Sequence, residues 1–137
     1  MAGKMRWSRP KLRRETPEQD LQILIVRFRL EPMVKAGVLL DAWSTPNELI
    51  GMLYQTKPWA SQLASKMGVK RGVPDLTLRA IGPDGKGRIC WIELKSEVGS
   101  LSEPQKEFRD RTQAGGWPWY LVRSLDEFDA AVKDFLR

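Results

Sequence analysis

The sequence contains no histidine and a single cysteine, Cys90. An internal disulfide is therefore impossible, and a zinc site of the usual Cys/His kind cannot be assembled. The absence of histidine also removes the commonest general base at neutral pH. Acid–base or metal chemistry must then come from carboxylates, lysines and backbone carbonyls, a hard donor set suited to magnesium or manganese. Long apolar runs are missing too. Leu21 to Leu30 is apolar in part but broken by Arg27 and Arg29, and nothing approaches the ~18 residues of a membrane span. The N-terminus lacks the apolar region of a secretion signal. These features predict an intracellular, cytoplasmic protein with no membrane partner.

What is present suits one domain. The chain has 137 residues, 42% hydrophobic and 29% charged, enough to bury a core and stay soluble. Its net charge of +6 is unevenly placed. Residues 1–14 carry Lys4, Arg6, Arg9, Lys11, Arg13 and Arg14 and no acid, while the remainder carries 17 basic and 17 acidic residues. The excess sits in an N-terminal arm ahead of a domain spanning residues 15–137. Such an arm suits a phosphate backbone, held by counterion release without sequence reading; a solubilising tail is the plainer alternative. Trp7 within it is a candidate for base stacking.

The chain reads as alternating helices and strands. Glu15 or Thr16 caps a first helix, with Pro17 in its first turn and Leu21, Leu24, Ile25 and Phe28 as a core-facing stripe. Pro32 limits it at about Leu30. An irregular stretch through Gly37 precedes a strand over Val38 to Trp43, and Ser44-Thr45-Pro46-Asn47 reads as a turn. Pro58 to Met67 reads as a helix stopped by Gly68. Asp75 to Ile81 and Arg88 to Lys95 are strands joined through Gly82-Pro83-Asp84-Gly85-Lys86-Gly87, an antiparallel hairpin. Ser102 to Ala114 is a helix with a capping box from Ser102 to Gln105 and a stop at Gly115-Gly116. Trp119 to Arg123 is a strand, and Ser124 caps a helix over Leu125 to Leu136, whose first turn holds Asp126 and Glu127. The order implies an α/β fold with a short mixed sheet. Trp91, Trp117 and Trp119 read as core or interface residues, and Cys90 as buried.

The chemistry concentrates in Trp91-Ile92-Glu93-Leu94-Lys95. Alternation puts Glu93 and Lys95 on one face of the strand and Ile92 and Leu94 on the other. An acid and a base in a largely apolar strand are costly to bury without a task. Asp75 follows Gly72-Val73-Pro74 at the start of the preceding strand, where the hairpin brings it beside Glu93. Two adjacent carboxylates repel unless a cation lies between them. Magnesium resolves this through both carboxylates, water and the Leu94 backbone carbonyl. Lys95, on the same face, would orient a nucleophile and stabilise charge on a phosphate, or accept a proton. A surface ion-pair network is the alternative.

Several motifs together carry a resemblance. Gly72-Val73-Pro74-Asp75-Leu76, Ile92-Glu93-Leu94-Lys95, Gly99-Ser100-Leu101-Ser102-Glu103-Pro104-Gln105 and Val122-Arg123-Ser124 occur in this order. Glu18-Gln19-Asp20-Leu21-Gln22 lies upstream, with Pro46-Asn47-Glu48 and Met67-Gly68-Val69 between. The set resembles the VRR-NUC domain of the PD-(D/E)xK nuclease superfamily over roughly residues 15–130. The resemblance implies a restriction-endonuclease-like core of αβββαβ type in a single domain. It implies a divalent-metal-dependent (Mg2+ or Mn2+) endonuclease acting on DNA, with Asp75, Glu93 and Lys95 as its catalytic centre. Glu18 would act on metal-bound water, and Gln105 would position Lys95 or the metal shell. Stand-alone members of the family look like phage or prophage proteins. For them the resemblance implies a homodimer that acts on branched DNA such as Holliday junctions, within DNA repair or phage processing. Lys70, Arg71 and Asn47 are further candidates for nucleic-acid contact. A non-catalytic DNA-binding or assembly subunit on the same fold, and a sequence-specific restriction or nicking enzyme, are the competing expectations. The short chain disfavours the latter, since base readout usually needs added elements in the grooves.

Overall fold

A computed structural model describes residues 16–137; the basic arm, with Lys4, Arg6, Trp7, Arg9, Lys11, Arg13 and Arg14, lies outside them. The first described residue starts the fold. The Thr16 hydroxyl accepts from the Gln19 amide, and the Gln19 side chain accepts in return from the Thr16 N–H at 2.9 Å. This reciprocal cap, with Pro17 at the first position, opens helix α1, Pro17–Ile25.

The helical path does not stop before Pro32. It continues through a π turn, Val26–Leu30, into α2, Glu31–Lys35. Pro32 brings no N–H to this ladder; the Glu31 N–H before it reaches back to Val26 O, and the Arg29 guanidinium donates to Phe28 O at 3.2 Å. Ile25 and Leu30 enter the core, whereas Leu24 and Phe28, predicted to face inward, are exposed at 41% and 57%. The first strand is later than predicted as well. Gly37 turns at φ +77°, and the Val38 and Leu39 amides both donate to Met33 O at the helix end, so neither is free for a ladder. Strand β1 is therefore Asp41–Ser44.

The segment read as a turn at Asn47 is instead the start of helix α3, Asn47–Thr56, which has no side-chain cap. Helix α4, Pro58–Lys66, follows and ends at Gly68 with φ +87°, as the sequence predicts. The second half agrees closely with expectation. Strands β2, Leu76–Ile81, and β3, Gly87–Leu94, form the antiparallel hairpin. Helix α5, Glu103–Ala114, carries the Ser102–Gln105 capping box. Strand β4, Trp119–Val122, lies parallel to β3, and α6, Leu125–Leu136, closes the chain from a Ser124 cap.

The strands form one mixed sheet in the order β1-β2-β3-β4, antiparallel except at β3–β4. One sheet face, with Leu76, Leu78, Cys90, Ile92, Leu94 and Val122, joins Ile25 and Leu30 of the first helical run and Phe128, Val132 and Phe135 of α6 in the main core. The other face carries Trp91, which meets Phe108 of α5 and Trp117 edge-on at 6.0 and 6.1 Å. The fold is thus a single α/β domain in three layers, with helices on both faces of a four-stranded mixed sheet. No helix among the described residues is long and apolar enough to cross a membrane.

The layers are locked where β2 begins. Gly72 adopts φ +81°, and a Cβ there would collide with the Pro104 carbonyl and approach Gln105 N to 2.8 Å. Only glycine allows α5 to start against this turn. Gly72→Ala combines a left-handed backbone with a collision against main-chain atoms. It should cost about 2–4 kcal/mol in denaturant-induced unfolding; a variant as stable as the parent would show that α5 does not rest on Gly72.

Candidate active site

The hairpin register pairs Leu76 with Ile92, so the next step along both strands sets Asp75 against Glu93. Asp75 is anchored there by the Leu94 N–H, which donates to its Oδ2 at 2.7 Å. At this end β3 is buried on both faces, and Glu93 is only 2% exposed. Glu93 Oε1 accepts from the Gln105 side-chain amide at 2.8 Å and lies 3.7 Å from the Lys95 ammonium. Its other oxygen, Oε2, is buried and has no partner among the described residues.

Gln105 has two roles. Its amide oxygen accepts from Ser102 N at 2.9 Å while its nitrogen holds Glu93. The capping and site readings of this residue are therefore one arrangement. Glu18, in the first turn of α1, reaches across to accept from Ser96 N at 3.3 Å, just beyond Lys95. Gly99 makes room for this approach. A side chain there would press on Glu18 Oε1 at 3.2 Å and on Lys95 Cδ at 3.4 Å.

Asn47 lines the site, but its amide donates to Val73 O at 2.8 Å, so it braces the turn that carries Asp75. Lys70 and Arg71 are exposed at the rim of the same cleft. One contributor lies in the Val122-Arg123-Ser124 motif but has no role assigned to it from the sequence. Arg123, following β4, donates through Nη1 to Ser96 O at 2.6 Å and Gly99 O at 2.7 Å. It thereby clamps the loop that leads out of Lys95. The signal available in advance was positional: a parallel strand beside β3 places the residue after Val122 next to Lys95.

The electrostatics reflect two acids brought together in a dry place. Burial, then the neighbouring Asp75 carboxylate, pushes the Glu93 carboxyl up to about 8, with Lys95 opposing. Asp75 is also raised, chiefly by burial, against the pull of the Leu94 N–H and of Lys95. Asp75, Glu93, Lys95, Gln105 and Glu18 all line one cleft of about 690 Å³ whose far wall is built from α3 and α4.

The donor set fits a hard divalent cation: two destabilised carboxylates, one with an orphaned buried oxygen. Among the described residues no three Asp, Glu or Cys side chains cluster at metal-holding spacing. Any such ion would draw the rest of its shell from backbone and water, as magnesium commonly does.

No protein-family model matches the chain, and no curated protein matches it. Among solved structures, the chain is similar to a VRR_NUC domain protein, at 17% identity over 90% of each chain with a TM-score of 0.61. At that identity the likeness establishes the fold. The chain has the VRR-NUC, restriction-endonuclease-like architecture that its motifs imply.

The raised Glu93 carboxyl has a consequence for stability. Its folded value lies above the unfolded one, so the folded state holds the proton more tightly. The associated stability is complete below the ordinary carboxylate range and is lost as pH rises towards about 8. In chelator, the melting temperature should fall between about pH 5 and about pH 9. Glu93→Gln should flatten that fall and melt higher than the parent at the alkaline end. Magnesium should restore the parent but not the variant. Parallel profiles for the two proteins would contradict the buried, strained carboxylate.

Proposed function

We propose that this protein is a divalent-metal-dependent endonuclease that hydrolyses phosphodiester bonds in DNA. One observation carries the reading: two adjacent carboxylates and a lysine converge on the lining of a cleft, with a carboxylate oxygen that lacks a donor among them. The VRR_NUC name of the structural neighbour supports it.

In this reading Asp75, Glu93 and the Leu94 carbonyl would hold Mg2+ or Mn2+, and Glu18 would assist through water. When bound, such an ion supplies Lewis acidity towards the phosphate and lowers the pKa of water. The chain's own groups do the rest. The Lys95 ammonium, ion-paired to Glu93 at 3.7 Å, orients the attacking water and stabilises charge gathering on the phosphorus oxygens. Gln105 fixes the Glu93 carboxylate, and Arg123 fixes the backbone on which Lys95 stands. Attack of the water oxygen forms one P–O bond and breaks the bond to the leaving sugar oxygen, which takes up a proton.

We assign the substrate to structured or branched DNA, such as a Holliday junction, cut by a homodimer. The support is an apolar groove between the first helix and α3, lined by Ile23, Val26, Leu49 and Met52, with Ile23, Leu49 and Met52 exposed. A twofold pair would present two sites to one branched substrate. Lys70 and Arg71 at the cleft rim, and the arm over residues 1–14, would hold phosphates.

Two measurements test this. Four-way junction, flap, duplex and single-stranded DNA, incubated with manganese or with chelator, should be cut only with the metal. Asp75→Asn and Lys95→Ala should each lower the rate by a factor on the order of 100 or more while retaining DNA binding. Cutting by both variants at the parent's rate would refute the site. Separately, deleting residues 1–14 should weaken DNA binding and flatten its dependence on salt; binding unchanged at all salt concentrations would remove the arm from the interface.

A further inference from the structure

The wall opposite the carboxylates differs from the rest of the two helices that form it. Helix α3 turns Asn47, Ile50, Gly51 and Tyr54 to the cleft, with Glu48 at its edge held by the Gln19 side chain, and α4 turns Ser61 and Ser65. These positions are spaced three and four apart, one face of each helix. Elsewhere on the two helices Leu49, Met52, Leu53, Trp59 and Leu63 are exposed, and Ala60 is buried.

Gly51 has no structural reason to be glycine. It stands inside α3 with an ordinary negative φ, and a Cβ built on it would meet nothing within 4 Å. A glycine in such a place weakens a helix relative to alanine and gives the fold nothing in return. Its neighbour one turn on, Tyr54, is half-buried at the cleft wall, in reach of whatever fills the space. The same cleft contains a buried carboxylate oxygen that lacks a donor among the described residues, on Glu93, a residue 98% shielded from solvent. A bare stretch of helix, an aromatic ring and two hydroxyls thus face an unsatisfied acidic site across a space of about 690 Å³, a size typical of ligand clefts.

We propose that the α3–α4 wall is the seat of the strand to be cut. The sugar–phosphate chain crosses Gly51 at close range. Ser61, Ser65 and the Lys70 ammonium take phosphates flanking the scissile one, and the Tyr54 ring stacks on the adjoining base or deoxyribose. The wall thereby selects a strand that leaves a base free to turn against an aromatic ring, as an unpaired or junction-proximal nucleotide does. This inference rests on the nuclease reading and deepens it.

Gly51 allows a test in which stability and binding move in opposite directions. Gly51→Ala and Gly51→Gln place better helix formers in α3, so both should melt at or above the parent's temperature. Both should nevertheless weaken binding of a fluorescent four-way junction and of a short single strand, the longer side chain more, by roughly tenfold for Gln. Tyr54→Ala should weaken binding by roughly tenfold, and Tyr54→Phe, which keeps the ring, should recover most of that loss. Binding is measured by anisotropy in an Asp75→Asn background, and KM against kcat with manganese in the parent background. The expected change is in KM and affinity, with kcat moved less. If Asp75→Asn abolishes cutting while Gly51→Gln and Tyr54→Ala bind and cut like the parent, the seat is elsewhere and the nuclease reading survives. If Asp75→Asn itself cuts normally, or the parent binds no DNA, the nuclease reading fails and this inference with it.

Discussion

Everything in this molecule is arranged around a carboxylate that its surroundings disfavour. Glu93 lies in the middle layer, flanked along β3 by the fully buried Ile92 and Leu94, and beside a second acid. Desolvating a charge in this way costs several kcal/mol unless it is compensated. The compensation in the chain itself is partial: one oxygen is held by Gln105 and Lys95, and the other has no donor beyond a proton shared with the Asp75 carboxyl. A purely structural ion pair would not be built so. Evolution of a stable core would either exchange the acid for an apolar residue or supply the missing donor. A buried carboxylate oxygen without a donor is a group that a cation or a hydrogen-bond donor would stabilise.

Holding that arrangement takes contacts from every layer. Asp75 is set by the β3 backbone through Leu94 N, and the turn before it is braced by Asn47 and pressed against α5 at Gly72. Glu93 is tied to the same end of α5 through Gln105. Lys95 leaves the sheet into a loop clamped by Arg123 from β4 and bonded to Glu18 from α1. Four separate stretches of chain therefore converge within a few residues of the hairpin end. Each uses a local device, such as a capping box or a positive-φ glycine, to fix a side chain whose partner is distant in sequence. The consequence is geometric precision without a large scaffold, which suits a domain of this size.

The legible parts of the sequence were those governed by local rules. Turn chemistry at Gly82–Gly87, the Ser102 and Ser124 caps and the glycine stops after α4 and α5 announce their elements because each satisfies backbone groups within a few residues. The hairpin then brings Asp75 to Glu93 by register alone. The illegible parts depended on longer accounts. Pro32 reads as a stop, but a π turn carries the helical path through it, and Ile25 and Leu30 are buried while Leu24 and Phe28 are exposed. Arg123 stands in a recognisable motif, but nothing in its own neighbourhood states its role. Its role exists only because β4 pairs in parallel with β3.

Helix α3 is the most instructive failure. Its residues follow a helical period, yet its start coincides with the Ser44-Thr45-Pro46-Asn47 turn signal and lacks a side-chain cap, and its interior contains a glycine. Both defects make sense once the helix is not asked to serve the core. Leu49, Met52 and Leu53 are exposed, while Asn47, Ile50, Gly51 and Tyr54 line the cleft. Sequence patterns reveal helices best when the burial they encode occurs within the same chain. A helix with no fully buried residue carries its pattern without the usual inward stripe. The residues that look anomalous by folding rules, Gly51 foremost, are then the ones whose reason has to be sought in what the molecule binds.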